Sequence, residues 1–313
     1  MNFQPDNAIF HNAEEARRFL EALHWPNGPI CPHCGVEGDA TAMQGKAHRA
    51  GAYQCNSCRK QFTVTVGTLF ERSKIPLHKW LLASWLLCSS KKGISSHQLH
   101  RMLGVTYKTA WFMTHRIRAA MADTSTEKLG GPGSSGIVEA DETYFGKTKG
   151  QGKGPHASKK QKVFALVERE GRVRAFHVPS VTADTLKPIL QQQISERARL
   201  MTDSAGQYAK MGQHFQSHET VNHLAGEYAR GDVCTNTVEG YFGILKRGIH
   251  GVYQHVSPAH LPRYLDEFSF RYSNRKITDS ERTVSALKGI SGKRLTFERT
   301  TEKGSAARIS SPE

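Results

Sequence analysis

Residues 137–145 read Ile137-Val138-Glu139-Ala140-Asp141-Glu142-Thr143-Tyr144-Phe145. The stretch alternates like a β-strand and carries an acidic cluster. Asp141 sits in otherwise apolar company, with Val138 and Ala140 close by in sequence. A buried aspartate is costly unless it is paired or binds a metal. Outward from this strand, two more are predicted over 162–168 and 172–178, with Gly171 supplying the tight turn between them. A helix over 183–197 with Thr182 as its cap, a short strand over 199–202, and helices over 236–247 and 261–274 follow. In the last of these, Leu261, Tyr264, Leu265 and Phe268 recur at helical spacing. Strands alternating with helices make this half of the chain an α/β domain.

A second acid, Asp203, ends the apolar run Leu200-Met201-Thr202, and strand ends are where α/β sheets build their sites. Asn236, Glu239 and Lys246 stand at i, i+3 and i+10 of a predicted helix, so they return to nearly one face. Magnesium, or manganese in its place, takes oxygen ligands from a few carboxylates plus water. Two such ions clamp the attacking and leaving oxygens of a phosphoryl transfer. Asp141 is the natural bridging ligand. Asp203 and Glu239 (or Asn236) complete one shell each, and Lys246 holds a nucleic-acid phosphate. Read singly, Asp203 is as well a turn residue and Glu239 an exposed helical charge. Their order favours a site: acid in a first strand, acid after a later strand, acid on the following helix.

The N-terminal half is built differently. Asn12 caps a predicted helix over 13–23, and residues 28–70 are rich in Gly, Cys, Thr and Val, as short strands and turns require. Cys31, Cys34, Cys55 and Cys58 form C-x2-C-x20-C-x2-C. Two such turns supply the four thiolates of a closed structural zinc site. Helical periodicity takes over at 76–121. Leu77–Ser90, a helix from Ser95 to Leu103, a turn at Gly104 and a helix over Tyr107–Met121 capped by Thr106 have the helix-turn-helix layout. Lys108, Thr109, His115, Arg116 and Arg118 are then expected to face DNA. The run Gly130-Gly131-Pro132-Gly133-Ser134-Ser135-Gly136 reads as a linker.

The 313 residues hold 43 Lys and Arg against 28 Asp and Glu, a formal charge of +15. That balance points to a polyanionic partner, and nucleic acid is the commonest. Lys147, Lys159 and Lys160, in a Gly-rich basic loop after the acidic strand, and Arg247 join the expected DNA contacts. No run of eighteen apolar residues is present, so no membrane span is expected. The N-terminus lacks a secretory signal. An intracellular, reducing environment therefore favours metal ligation over disulfides for the cysteines. The expected organisation is a zinc ribbon with helical lead-in (1–70), a helix-turn-helix region (76–122), a linker (123–136), a catalytic domain (137–276) and a partly disordered tail (277–313).

These motifs resemble the DDE transposases of bacterial insertion sequences. Asp203-x35-Glu239 has the D-x35-E spacing of that superfamily, and Lys246 follows Glu239 by seven residues, at its usual basic position. The ribbon, Glu139-Ala-Asp-Glu-Thr, Asn222-His223, Thr235-Asn-Thr-Val-Glu239, Leu245-Lys-Arg-Gly-Ile-His-Gly251 and Tyr264–Tyr272 look most like the ISXO-like transposases, over about residues 10–276. The resemblance implies a ribonuclease-H-like mixed sheet and recognition of the element's terminal inverted repeats by the N-terminal region. It also implies magnesium-dependent cleavage and strand transfer into target DNA by Asp141, Asp203 and Glu239, and a homo-oligomer on DNA in a bacterial cytoplasm. Relatives describe the third position as Asn or Glu. Both Asn236 and Glu239 stand here, and the carboxylate is the stronger magnesium ligand. Two other classes fit the same motifs: a DNA-binding regulator without catalysis, and a stand-alone ribonuclease-H-like nuclease.

Overall fold

Asn12 starts the first helix, α1 (Ala13–His24). Its side-chain oxygen accepts from the backbone N–H groups of Glu14 and Glu15 at 2.8 and 3.2 Å, and the two acids complement the positive helix end. The computed structural model describes residues 3–45, 47–146, 160–209 and 211–297, and the chain divides into two units. In the first, β1 (Ala40–Ala42), β2 (Tyr53–Cys55) and β3 (Gln61–Phe62) form a small antiparallel sheet. Strands this short bury little. Trp25, Tyr53 and Phe62 pack around them with ring centroids 5.5, 5.7 and 5.9 Å apart.

The helical region follows its capping signals. Ser95 accepts from Gln98 N at 3.1 Å, Gly104 takes the left-handed conformation (φ 60°), and Thr106 accepts from Thr109 N at 3.2 Å. These residues delimit α2 (Leu77–Ser89), α3 (Ser96–Leu103) and α4 (Tyr107–Met121).

The second unit, Asp123–Lys276, holds β4 (Ile137–Phe145), β5 (Gln161–Glu168), β6 (Val173–Val178), α5 (Ala183–Gln193), β7 (Arg199–Asp203), β8 (Ser217–Val221), the short pair β9 (Ala229–Arg230) and β10 (Val233–Cys234), α6 (Asn236–Gly248) and α7 (Leu261–Ser273). Its main sheet runs β6-β5-β4-β7-β8. The β4–β5 and β5–β6 pairs are antiparallel, whereas β7 is parallel to both β4 and β8. This is a mixed sheet of ribonuclease-H-like kind, and the whole is α/β.

Strand alternation sorts the side chains of β4. Val138 and Ala140 pack with Leu186 and Leu190 of α5. Phe145 packs with Val238, Tyr241 and Leu245 of α6 and Leu265 and Phe268 of α7. Glu139, Asp141 and Thr143 share the face of Phe145. The apolar residues expected around Asp141 thus lie on the opposite side of the sheet.

Gly171 sits in the β5–β6 turn as expected, donating its N–H to the Glu168 carbonyl at 3.0 Å, while the positive φ of that turn belongs to Glu170 (φ 59°). Gly171 is needed for space, since a Cβ there would lie 2.1 Å from Glu168 Oε2. Two other expectations are corrected. The stretch read as a linker, 123–136, is built into the second unit. Leu129 is fully buried in the α5-side core, Gly130 N donates to Glu168 Oε1 at 2.8 Å, and Arg174 binds Asp123 at 2.8 Å and the carbonyls of Ser125 and Glu127. The stretch read as a tail contains α8 (Asp279–Lys288), closed by a capping box between Thr278 and Glu281. α8 packs on α2 and α4 in the first unit with Ala286 and Leu287 buried, and Arg282 donates to the Cys88 carbonyl at 2.6 Å. The tail beyond Phe297 lies outside the described residues. Among those residues no helix is long and apolar enough to cross a membrane.

Candidate functional site

The four cysteines converge. All four Sγ atoms lie within 4.8 Å of one another, with Cys31–Cys58 and Cys34–Cys55 each 3.6 Å apart. A tetrahedral zinc ion with Zn–S bonds of about 2.3 Å needs S···S edges of roughly 3.8 Å, so the cradle has the right size. The backbone N–H of Cys58 pulls the Cys55 thiol down to about 7, toward the thiolate a metal needs. The donor set and spacing fit structural zinc. Here β2 contributes Cys55, and Gly35, at φ 78°, turns the chain after the first knuckle.

In the second unit the β4–β7 register aligns Ile137 with Arg199, Val138 with Leu200 and Glu139 with Met201. The parallel pairing ends there; Asp141 and Asp203 each follow two residues on, so alternation keeps them on one face of the sheet, and the Asp203 charge is felt at Asp141. Burial raises the Asp141 carboxyl to about 7 even though it accepts from Glu142 N at 2.7 Å. The negative charges of Glu142, Asp203 and Glu239 push the same way. Carboxylates gathered against their own repulsion are what a hard cation relieves. Among the described residues, however, only the cysteines bring three or more such ligand atoms within 4.8 Å; the acidic trio is more open.

Glu139, a residue the sequence motifs left without a role, ties β4, which carries Asp141, to α6, which carries Glu239. It is fully buried and reaches from β4 to the start of α6. Its carboxylate accepts from Thr237 N (2.7 Å), Val238 N (3.0 Å), Thr237 Oγ1 (2.8 Å) and Arg169 Nε (2.7 Å). Thr235, the N-cap by position, makes no cap bond, so a glutamate from the sheet caps the helix carrying Asn236 and Glu239. Arg169 also reaches Cys234 and the Asp232 carbonyl. On the other face, Glu142 accepts from Tyr208 OH (2.6 Å) and Gln207 Nε2 (2.9 Å), tying down the turn after Asp203. The signal for Glu139 was present in its i, i+2 relation to Asp141, which puts both on one face.

Asn236, Glu239, Lys246 and Arg247 are exposed on α6, and Lys160 is exposed before β5. Lys108 is exposed, with Nζ 4.6 Å from the Phe297 ring centroid. The Thr109 hydroxyl bonds that of Thr106 at 2.9 Å. Three expected DNA contacts are corrected. Arg118 is fully buried and donates to Thr114 Oγ1 at 3.0 Å. Arg116 turns inward to the Leu295 carbonyl at 3.1 Å and packs on Phe112, and burial, with Arg294 nearby, lowers its pKa to about 10. His115 is also buried. These side chains face the core because α4 is covered on that side by α8 and the segment through Leu295. Lys147 and Lys159 lie outside the described residues.

Residues 134–273 match the ISXO2-like transposase domain, and residues 11–61 match the transposase zinc-ribbon domain. A curated protein, described as an uncharacterized protein in transposable element ISH50 of Halobacterium salinarum, is 29% identical over 279 residues. The match covers 84% of this chain and 91% of that protein.

Proposed function

The chain belongs to the ISXO2-like transposase family, and from that premise we propose that it cleaves DNA at the ends of an insertion element and joins the freed 3′ ends to target DNA. The observation that carries the reading is the Asp141 carboxyl, half-buried and facing the charges of Asp203 and Glu239, on the strand from which Glu139 caps the helix of Glu239. Asp141, Asp203 and Glu239 would hold magnesium, which supplies Lewis-acid activation of water and stabilises the leaving oxygen. Asn236, in the same helical turn, stands as the alternative third ligand. In the first step a water oxygen bonds to phosphorus, the P–O3′ bond breaks, and the departing 3′ oxygen takes a proton. In the second, that 3′-hydroxyl loses its proton and attacks a target phosphate, releasing another 3′-hydroxyl.

The chain's own part is placement. Lys246, Arg247 and Lys160 would neutralise backbone phosphates, while the zinc ribbon and α3–α4 grip the terminal repeats. Joining two ends calls for a homo-oligomer on DNA. The test is purified protein, labelled element ends and magnesium. A nicked end bearing a 3′-hydroxyl and a joined product are expected, and both vanish in Asp141→Asn and Asp203→Asn while DNA binding stays. Binding with no nick by the unaltered protein would make it a regulator; cleavage without joining would make it a nuclease.

A further inference from the structure

The segment after β8 turns back toward α6 and brings one imidazole to the Glu239 carboxylate. Asn222 caps this turn, accepting from Ala225 N at 3.2 Å. His223 Nε2 then lies 3.1 Å from Thr235 Oγ1 and 3.6 Å from Glu239 Oε1. Thr235 Oγ1 itself donates to Glu239 Oε1 at 3.0 Å. Thr235 is buried, at 1% exposure, so little water competes for its hydroxyl.

A threonine hydroxyl has a single proton. Because that proton goes to Glu239, Thr235 can only accept from His223, and Nε2 must carry a hydrogen. The chain of donors is therefore directional: His223 Nε2–H to Thr235 Oγ1, and Thr235 O–H to Glu239 Oε1. The Tyr228 ring, with its centroid 5.4 Å away, leans on the imidazole. Asn236, three residues before Glu239 and exposed, has no part in this chain.

We propose that His223 is a positioning residue that acts through Thr235 to fix one oxygen of Glu239, leaving the other to face Asp141 and Asp203, so that Glu239 and not Asn236 serves as the third ligand. The inference rests on the proposed transposase reading. It adds a means of choosing between the two candidates on α6. Residues that orient a metal ligand from behind typically contribute about 10- to 100-fold in affinity or activity.

The test measures two quantities on the full-length protein with its zinc in place. One is binding of Mn²⁺ to the DNA-free protein, by electron paramagnetic resonance. The other is the Mg²⁺ concentration giving half-maximal cleavage. His223→Ala and Thr235→Val should each weaken both by about tenfold or more. His223→Gln, which keeps a donor near Nε2, and Thr235→Ser, which keeps the hydroxyl, should recover most of the loss. Glu239→Gln should abolish Mn²⁺ binding, and an equal loss in Asn236→Ala would overturn the choice of Glu239 over Asn236. Wild-type metal dependence in His223→Ala, or failure of Gln and Ser to rescue, overturns the positioning role. If Asp141→Asn and Asp203→Asn also bind Mn²⁺ and cleave normally, the transposase site itself falls, which is a separate outcome.

Discussion

Three acids in four positions of β4 have three different surroundings. Glu139 is buried and fully engaged by four donors, Asp141 is crowded by like charges, and Glu142 anchors a turn on the far face. Removing one partner of a buried, hydrogen-bonded ion pair typically costs about 3–5 kcal/mol. Glu139→Ala is accordingly expected to lower unfolding free energy by about that amount, read by urea denaturation; a loss near zero would mean that α6 does not depend on this cap. Asp141 predicts the opposite dependence. Its folded pKa of about 7 lies above the roughly 3.9 of a free aspartate. A raised folded pKa favours the folded state below the unfolded value, and that contribution is lost as pH rises through the folded one. In buffer without added divalent ions, the melting temperature should fall between about pH 4 and 7, and Asp141→Asn should flatten the fall. Parallel curves for the two proteins would remove the buried charge from the account.

At the scale of elements, capping residues drew the boundaries and packing chose the faces. Ser95, Gly104 and Thr106 delimit α3 and α4 as their chemistry dictates. The same sequence misled about α4's arginines, because an α-helix shows every residue type on all sides and only its neighbours decide which side is wet. Arg118 is buried by tertiary packing, so Arg118→Leu should change stability and leave the salt dependence of DNA binding unaltered. Lys108→Ala, at an exposed position in the first turn of α4, should weaken binding and reduce the salt slope by about 1. Fluorescence anisotropy at several salt concentrations separates the two, and a reduced slope for Arg118→Leu would reverse the assignment. α6 taught the complementary lesson: its spacing announced one face for Asn236, Glu239 and Lys246, but not that a strand residue 97 positions before Asn236 would cap it.

For the whole molecule, the two units have different sources of stability. The ribbon sheet has three strands of two or three residues, too little surface for a hydrophobic core of its own, and its four cysteines answer that need through zinc. The second unit rests on clusters of buried side chains on both faces of its sheet. Cys31→Ser, or chelation of the metal, should therefore abolish amide protection between residues 31 and 62 while residues 137–145 and 161–168 keep theirs. Hydrogen exchange read by mass spectrometry checks this, and equal loss in both regions would show that the sheet unit also depends on the metal. Zinc content near one ion per chain is expected beforehand.

By itself the sequence determined the features that local chemistry controls. The C-x2-C pairs named a metal, the caps named the helices, alternation named the strands, and the Asp203-x35-Glu239 spacing with its flanking motifs named the family. Only the tertiary structure decided what depends on contacts between distant residues. It brought Asp141 within reach of the Asp203 charge, gave Glu139 its helix and His223 its carboxylate, and turned Arg116 and Arg118 away from solvent. It also folded a linker and much of a tail into their units. The physical reason is that a side chain's charge and shape are written in its own position, whereas its desolvation and its partners are set by whatever the chain brings against it.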